Sequence, residues 1–155
     1  MTDYPVDMRV QPDVAGYFDE DSNTITYLVA DPATKACAVI DSVMDLDYAA
    51  GRIAADSADR LIAEIQSRGL ELEWIIESHV HADHLSAAPY IQERLGGKIG
   101  VGARIIEVQD TFGKIFNEGT EFQRDGSQFD ALFGDGDTHD IGSMQGFAME
   151  TPHKR

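Results

Sequence analysis

The chain has 155 residues, 43% of them hydrophobic and 26% charged, which is the composition of a globular domain with enough length for one sizeable core. Its formal charge of −16 repels nucleic-acid phosphates and anionic membrane surfaces, so neither is expected as a partner. No stretch reaches the roughly 20 apolar residues of a membrane helix, and the N-terminus has no basic segment followed by an apolar one, so a cytoplasmic location is expected.

Thr24 to Ala30 is rich in β-branched and aromatic residues and predicts a strand. Asp31-Pro32-Ala33-Thr34 predicts a turn, and Ala36 to Ile40 a second strand, so the pair makes a hairpin that Asp41 closes. Cys37, the only cysteine, sits in this second run. It can form no intramolecular disulfide and no cysteine-based zinc site, and it reads as a small buried hydrophobe. Tyr48 to Ala55 is small and polar and predicts a loop.

From Ser57 to Arg68, Ala58, Leu61, Ile62 and Ile65 recur at helical spacing, with Gly69 as the stop. Glu73 to Glu77 predicts a short strand, Ser86 to Leu95 a helix ending at Gly96-Gly97, and Lys98 to Val101 a further strand. The stripe Ile105, Val108, Phe112 and Ile115 predicts a helix over 104–116 whose apolar face is core. Residues 117–140 predict a Gly- and Asp-rich loop, and Gln145 to Glu150 a last strand. Strands alternate with helices, so the expected class is α/β, a mixed sheet with flanking helices in one domain over 1–155.

The informative stretch is His79-Val80-His81-Ala82-Asp83-His84, directly after a strand. It gathers three of the five histidines, and shuffling the composition gives the pattern on the order of once in a thousand trials. In extended backbone His79 and His81 share a face. A helix beginning near Asp83 would redirect Asp83 and His84 to an adjacent position, so the loop can offer ligands to two neighbouring metal ions. Neutral imidazoles with a carboxylate suit zinc, iron or manganese.

This His-x-His-x-Asp-His loop resembles that of the metallo-β-lactamase superfamily, whose fold is an αββα sandwich. The wider stretch Glu73 to Pro89, and Lys114 to Phe122, are similar to the persulfide dioxygenase branch with its bacterial β-lactamase-like hydrolases. Glyoxalase II-type thioesterases share the fold and the loop.

The resemblance implies that His79 ligates a mononuclear Fe(II), with His81 a ligand of the first metal in two-metal relatives. Asp83 and His84 would form the second site in hydrolases and shape the substrate pocket in dioxygenases, and Asp83 is the residue assigned a catalytic part. Asp41 matches an acidic position of the family near the site, or else is a turn or helix-cap carboxylate. Iron is the implied cofactor, with zinc the alternative, and a glutathione-linked small molecule the implied substrate.

The family continues with a histidine in a Thr-Pro-Gly-His turn. Here the sequence is Thr151-Pro152-His153, without the glycine that allows the tight path. His153 is therefore either a further ligand one register early or a frayed terminal residue. The remaining ligands and the second half of the sandwich are absent, so the chain corresponds to an N-terminal half. An exposed apolar sheet face and self-association are expected from that, as is weak metal binding. Three functions stay open: a glutathione persulfide dioxygenase, a glyoxalase II-like thioester hydrolase, and a non-catalytic metal-binding fragment.

Overall fold

A computed structural model describes residues 7, 9–47, 49–79, 86–103 and 129–151. The elements run β1 (Asp13–Asp19), β2 (Thr24–Ala30), β3 (Ala36–Ile40), β4 (Asp45–Asp47), β5 (Arg52–Ala54), α1 (Asp56–Ser67), β6 (Glu71–Glu77), α2 (Ala88–Leu95), β7 (Lys98–Gly102), β8 (Ala131–Phe133), β9 (Thr138–Ile141) and β10 (Met144–Phe147). Six strands form one mixed sheet in the order β1-β2-β3-β6-β7-β8. The β1–β2 and β2–β3 pairs are antiparallel, and β3, β6, β7 and β8 run parallel. The α/β class and the mixed sheet with flanking helices are as the sequence predicts.

The steps β3 to β6 and β6 to β7 go the same way along the sheet. Right-handed crossovers then put both connecting helices on one face. There Ala58, Leu61, Ile62 and Ile65 of α1 and Ile91 of α2 pack on Leu28, Cys37, Val39, Leu72, Ile75 and Ile99. Asp45 of β4 anchors the start of α1, accepting the Ser57 amide at 2.8 Å and its hydroxyl at 2.6 Å. The helix ends where Gly69 adopts φ +64° and the Leu70 amide reaches back to the Ile65 carbonyl at 3.0 Å. Tyr90 ties the helices together by donating to Asp59 at 2.6 Å. Cys37 is fully buried, and burial pushes its thiol up to about 11, so it is the inert hydrophobe the sequence suggests.

The opposite face is covered by the β9–β10 hairpin, whose Ile141 and Met144 pack on Ala36 and Ala38 beside Val29 and Trp74. At the β1–β2 edge the same face stays open: Val14, Phe18, Ile25 and Tyr27 are exposed, Phe18 at 60%. Among the described residues, four apolar side chains on the face away from the helices are thus exposed.

Three expectations need correction. Residues 13–19, given no element from sequence, form edge strand β1. Val14 and Phe18 lie on one face and Ala15 and Tyr17 on the other, so no alternation marks it, and pairing with β2 supplies the order. The 48–55 loop contains β5, which pairs back on β4. The loop predicted over 117–140 contains β8 and β9, too short to announce themselves and held by the neighbours they join. The helix predicted over 104–116 lies outside the described residues.

Candidate metal centre

The parallel strands bring the C-terminal ends of β3 and β6 side by side, the edge at which open α/β sheets bind ligands. Asp41 follows β3, its amide donating to the Ile76 carbonyl of β6 at 2.9 Å. Its φ of +54° is left-handed, which aspartate tolerates better than most side chains. That turn aims the carboxylate at Ser78, and it accepts the Ser78 amide at 2.7 Å and the Ser78 hydroxyl at 2.6 Å. Asp41 is therefore the turn residue and also the acidic neighbour of His79.

The chain of hydrogen bonds continues to His79, whose Nδ1 lies 2.8 Å from Ser78 Oγ. The single hydroxyl hydrogen of Ser78 is donated to Asp41, so Oγ can only accept at its second contact. The Nδ1–H of His79 then donates to Ser78, and Nε2 carries the lone pair. A carboxylate acting through a hydroxyl thus selects the tautomer that leaves the lone pair on Nε2 of His79, the form an imidazole must have to ligate a metal ion.

One residue earlier, Glu77 ends β6 pointing into the helix side of the sheet, only 6% exposed. Its Oε1 accepts the Ser86 hydroxyl, from the far side of the histidine loop. Burial pushes the Glu77 carboxyl up to about 7, with the Ser86 hydrogen bond opposing and the nearby Asp41 charge adding. Ser86 also bridges Val43 in an antiparallel contact, and the Ala87 amide donates to the Ser42 carbonyl at 3.2 Å.

Of the residues proposed from sequence, the structure places His79, exposed at the tip of β6. His81, Asp83, His84 and His153 lie outside the described residues. Among the described residues no group of three or more His, Cys, Asp or Glu is disposed to hold a metal. His139 is remote from His79 in role and setting, on the hairpin face with its ring 5.9 Å from Trp74 and 5.2 Å from Phe133. What is described fits a metal centre: a solvent-facing imidazole with a fixed tautomer, at the start of a run of nitrogen and oxygen donors suited to zinc or iron. Sequence reasoning assigned no part to Ser78, Glu77 or Ser86. The visible signal was Glu77, a carboxylate where the helix-facing row of β6 should stay apolar.

The metallo-β-lactamase superfamily model matches residues 20–153. A "probable metallo-hydrolase" of Burkholderia pseudomallei is 51% identical over 139 residues, 90% of this chain and 47% of the relative. Glyoxylase B2 of Dictyostelium discoideum is 44% identical over 85% of this chain and 46% of its own. The crystal structure of ETHE1 from Myxococcus xanthus superimposes with a TM-score of 0.59 at 22% identity, over 86% of this chain and 45% of that one, a likeness of fold. The chain spans about half the length of these relatives. No helix among the described residues is long and apolar enough to cross a membrane. With a family model covering most of its length and the family's histidine loop at the tip of β6, the chain belongs to the metallo-β-lactamase superfamily, whose members typically bind zinc or iron.

Proposed function

We propose that the chain is the metal-loop half of a glutathione persulfide dioxygenase-like enzyme with a mononuclear Fe(II). The observation that carries the metal reading is the Asp41–Ser78–His79 relay, which prepares one imidazole nitrogen for a cation. The similarity of 73–89 and 114–122 to the persulfide dioxygenase branch supports that substrate. His79, His81, Asp83, His84 and His153 are the residues assigned to the centre, with Asp83 also given a catalytic part. Iron(II) held there would supply open coordination positions for a substrate sulfur and for O₂.

The overall conversion would take glutathione persulfide, O₂ and water to glutathione and sulfite, with release of two protons. Beside the residues assigned to the centre, Asp41 and Ser78 contribute by position: they hold the proton on Nδ1 of His79 and keep its ring oriented.

The second reading is a glyoxalase II-like thioester hydrolase, favoured by the 44% identity to glyoxylase B2. There two metal ions, zinc or iron, would lower the pKa of a bound water. Metal analysis with two assays on the purified chain separates the readings. One iron per chain and persulfide-dependent O₂ consumption support the dioxygenase. Two metals with thioester cleavage and no O₂ uptake replace it with the hydrolase. Metal binding with neither activity would leave a non-catalytic metal-binding unit.

A further inference from the structure

Glu77 is out of place for its strand. On β6 the side chains directed to the helices are Leu72 and Ile75, both in the apolar core, and the next in that row is a carboxylate only 6% exposed. Burying a carboxylate there is costly, and an aliphatic side chain would pack the position with no such penalty. The hydrogen bond it makes crosses the histidine loop: Glu77 immediately precedes Ser78 and His79, and Ser86 lies where the chain returns to the sheet. Ser86 passes the restraint on. Its Oγ accepts the Ala88 amide at 3.0 Å, at the entrance to α2, and its backbone bridges Val43, two residues after Asp41. Asp41 in turn holds Ser78. Glu77, Ser86, Val43, Asp41 and Ser78 thereby close a ring of contacts around the base from which His79 projects.

We propose that Glu77 is a positioning residue for the metal loop, its carboxylate oxygen accepting the Ser86 hydroxyl so that both ends of the loop are fixed to one frame. This rests on the metal reading for its purpose, while the clamp itself is testable without metal. A hydrogen-bond acceptor is what the role demands, so an amide should replace the carboxylate and an alkyl group should not.

The test compares Glu77→Gln, Glu77→Leu and Ser86→Ala with the unaltered chain, by amide hydrogen exchange at Ala87 and Ala88 and by titration with Zn²⁺ and, without oxygen, Fe²⁺. Glu77→Leu and Ser86→Ala should accelerate exchange at both amides at least tenfold and weaken metal binding roughly ten- to hundredfold, the range seen when groups supporting metal ligands are lost. Glu77→Gln should stay within about threefold of the unaltered chain on both measures. Glu77→Leu removes a buried carboxylate from an apolar row, so its thermal midpoint should not fall, which separates positioning from plain stability.

Unchanged exchange in Glu77→Leu overturns the proposal, as does a Glu77→Gln variant that behaves like Glu77→Leu. Should Glu77→Leu fail to fold, Ser86→Ala decides by exchange at Ala87 and by the metal titration, since the Ala88 amide loses its own acceptor in that variant. If the unaltered chain binds neither metal, the metal reading fails, and amide exchange alone upholds or overturns the clamp.

Discussion

The two ends of β3 carry the same hydrogen-bonding unit put to different uses. At each end an aspartate accepts both the amide and the hydroxyl of one distant serine. Before β3, Asp31 accepts them from Ser143 at 2.7 and 2.6 Å; after it, Asp41 accepts them from Ser78 at 2.7 and 2.6 Å. Asp31 is buried and saturated, since Ala33 and Thr34 of its own turn donate to it as well, at 3.0 and 2.8 Å. The Ser143 hydroxyl and amide hold its carboxyl well below the usual range, against the opposing effect of burial. That unit ends on itself, and it locks the β9–β10 hairpin to the sheet. The Asp41 unit stays near solvent and passes its order on to His79. What separates a structural staple from a site support here is the next group in the chain: a closed turn in one case, an imidazole in the other.

The sharpest way to break the structural end is Gly142→Ala. Gly142 has φ +59° in the turn between β9 and β10, and a Cβ there would overlap Thr34 Oγ1 and come within 2.6 Å of Asp31 Oδ2 and 2.9 Å of the Ala36 Cβ. The left-handed backbone costs roughly 1–2 kcal/mol with a side chain present, and the overlap a further 1–3 kcal/mol or so. The expected loss is about 3 kcal/mol in urea unfolding. A loss below about 1 kcal/mol would mean that the hairpin is not held against the Asp31 turn. Metal affinity of the folded variant should stay unchanged, because the His79 end of β3 is untouched.

Asp41→Asn makes the converse change. Asparagine also tolerates the left-handed backbone, so the turn survives. One carboxylate oxygen becomes an amide donor that cannot accept from Ser78. The Ser78 hydroxyl is then released from its fixed direction, and His79 is no longer held in one tautomer. Metal binding should weaken about ten- to hundredfold, with a smaller stability change than in Gly142→Ala. Asp31→Asn should do the opposite, lowering stability and leaving metal affinity alone. Equal effects of the two substitutions on metal binding would erase the distinction between the ends of β3.

Much of this was legible in the sequence, for identifiable reasons. Helix α1 announces itself because Ala58, Leu61, Ile62 and Ile65 all meet one apolar face, and β2 and β3 because β-branched and small apolar residues run together. The histidine loop is legible because its ligands are close in sequence. The supports are not. Asp41 and Ser78 are 37 residues apart and Asp31 and Ser143 are 112 apart, and no local pattern links either pair. Strands β1, β8 and β9 were hidden for a related reason: their order comes from the strands they join, and three- or four-residue segments such as β8 and β9 carry too little periodicity to be read.

The smallest expected effect is the pH dependence of the structural end, read in a Glu77→Gln background because the raised Glu77 carboxyl titrates in the same range with the opposite sign. His139 of β9 is half-buried between Trp74 and Phe133, and its Nδ1 has no hydrogen-bond partner among the described residues. Desolvation lowers its pKa from the ordinary 6.5, against a smaller raising effect of Asp140. The unfolded chain therefore binds this proton more readily than the folded one, so the contribution of His139 to stability is full above pH 6.5 and declines as the pH falls from there to the lowered folded value. Asp31 acts in a separate window: its depressed carboxyl contributes stability above its ordinary 3.8 that is lost only at more acidic pH. His139→Phe should keep the aromatic packing and flatten the slope just below pH 6.5, while Asp41→Asn should leave that slope in place. Thermal midpoints of the metal-free proteins, all carrying Glu77→Gln, at half-unit pH steps read this. A slope that persists in His139→Phe would assign the proton to another group and detach the acid sensitivity from the hairpin face.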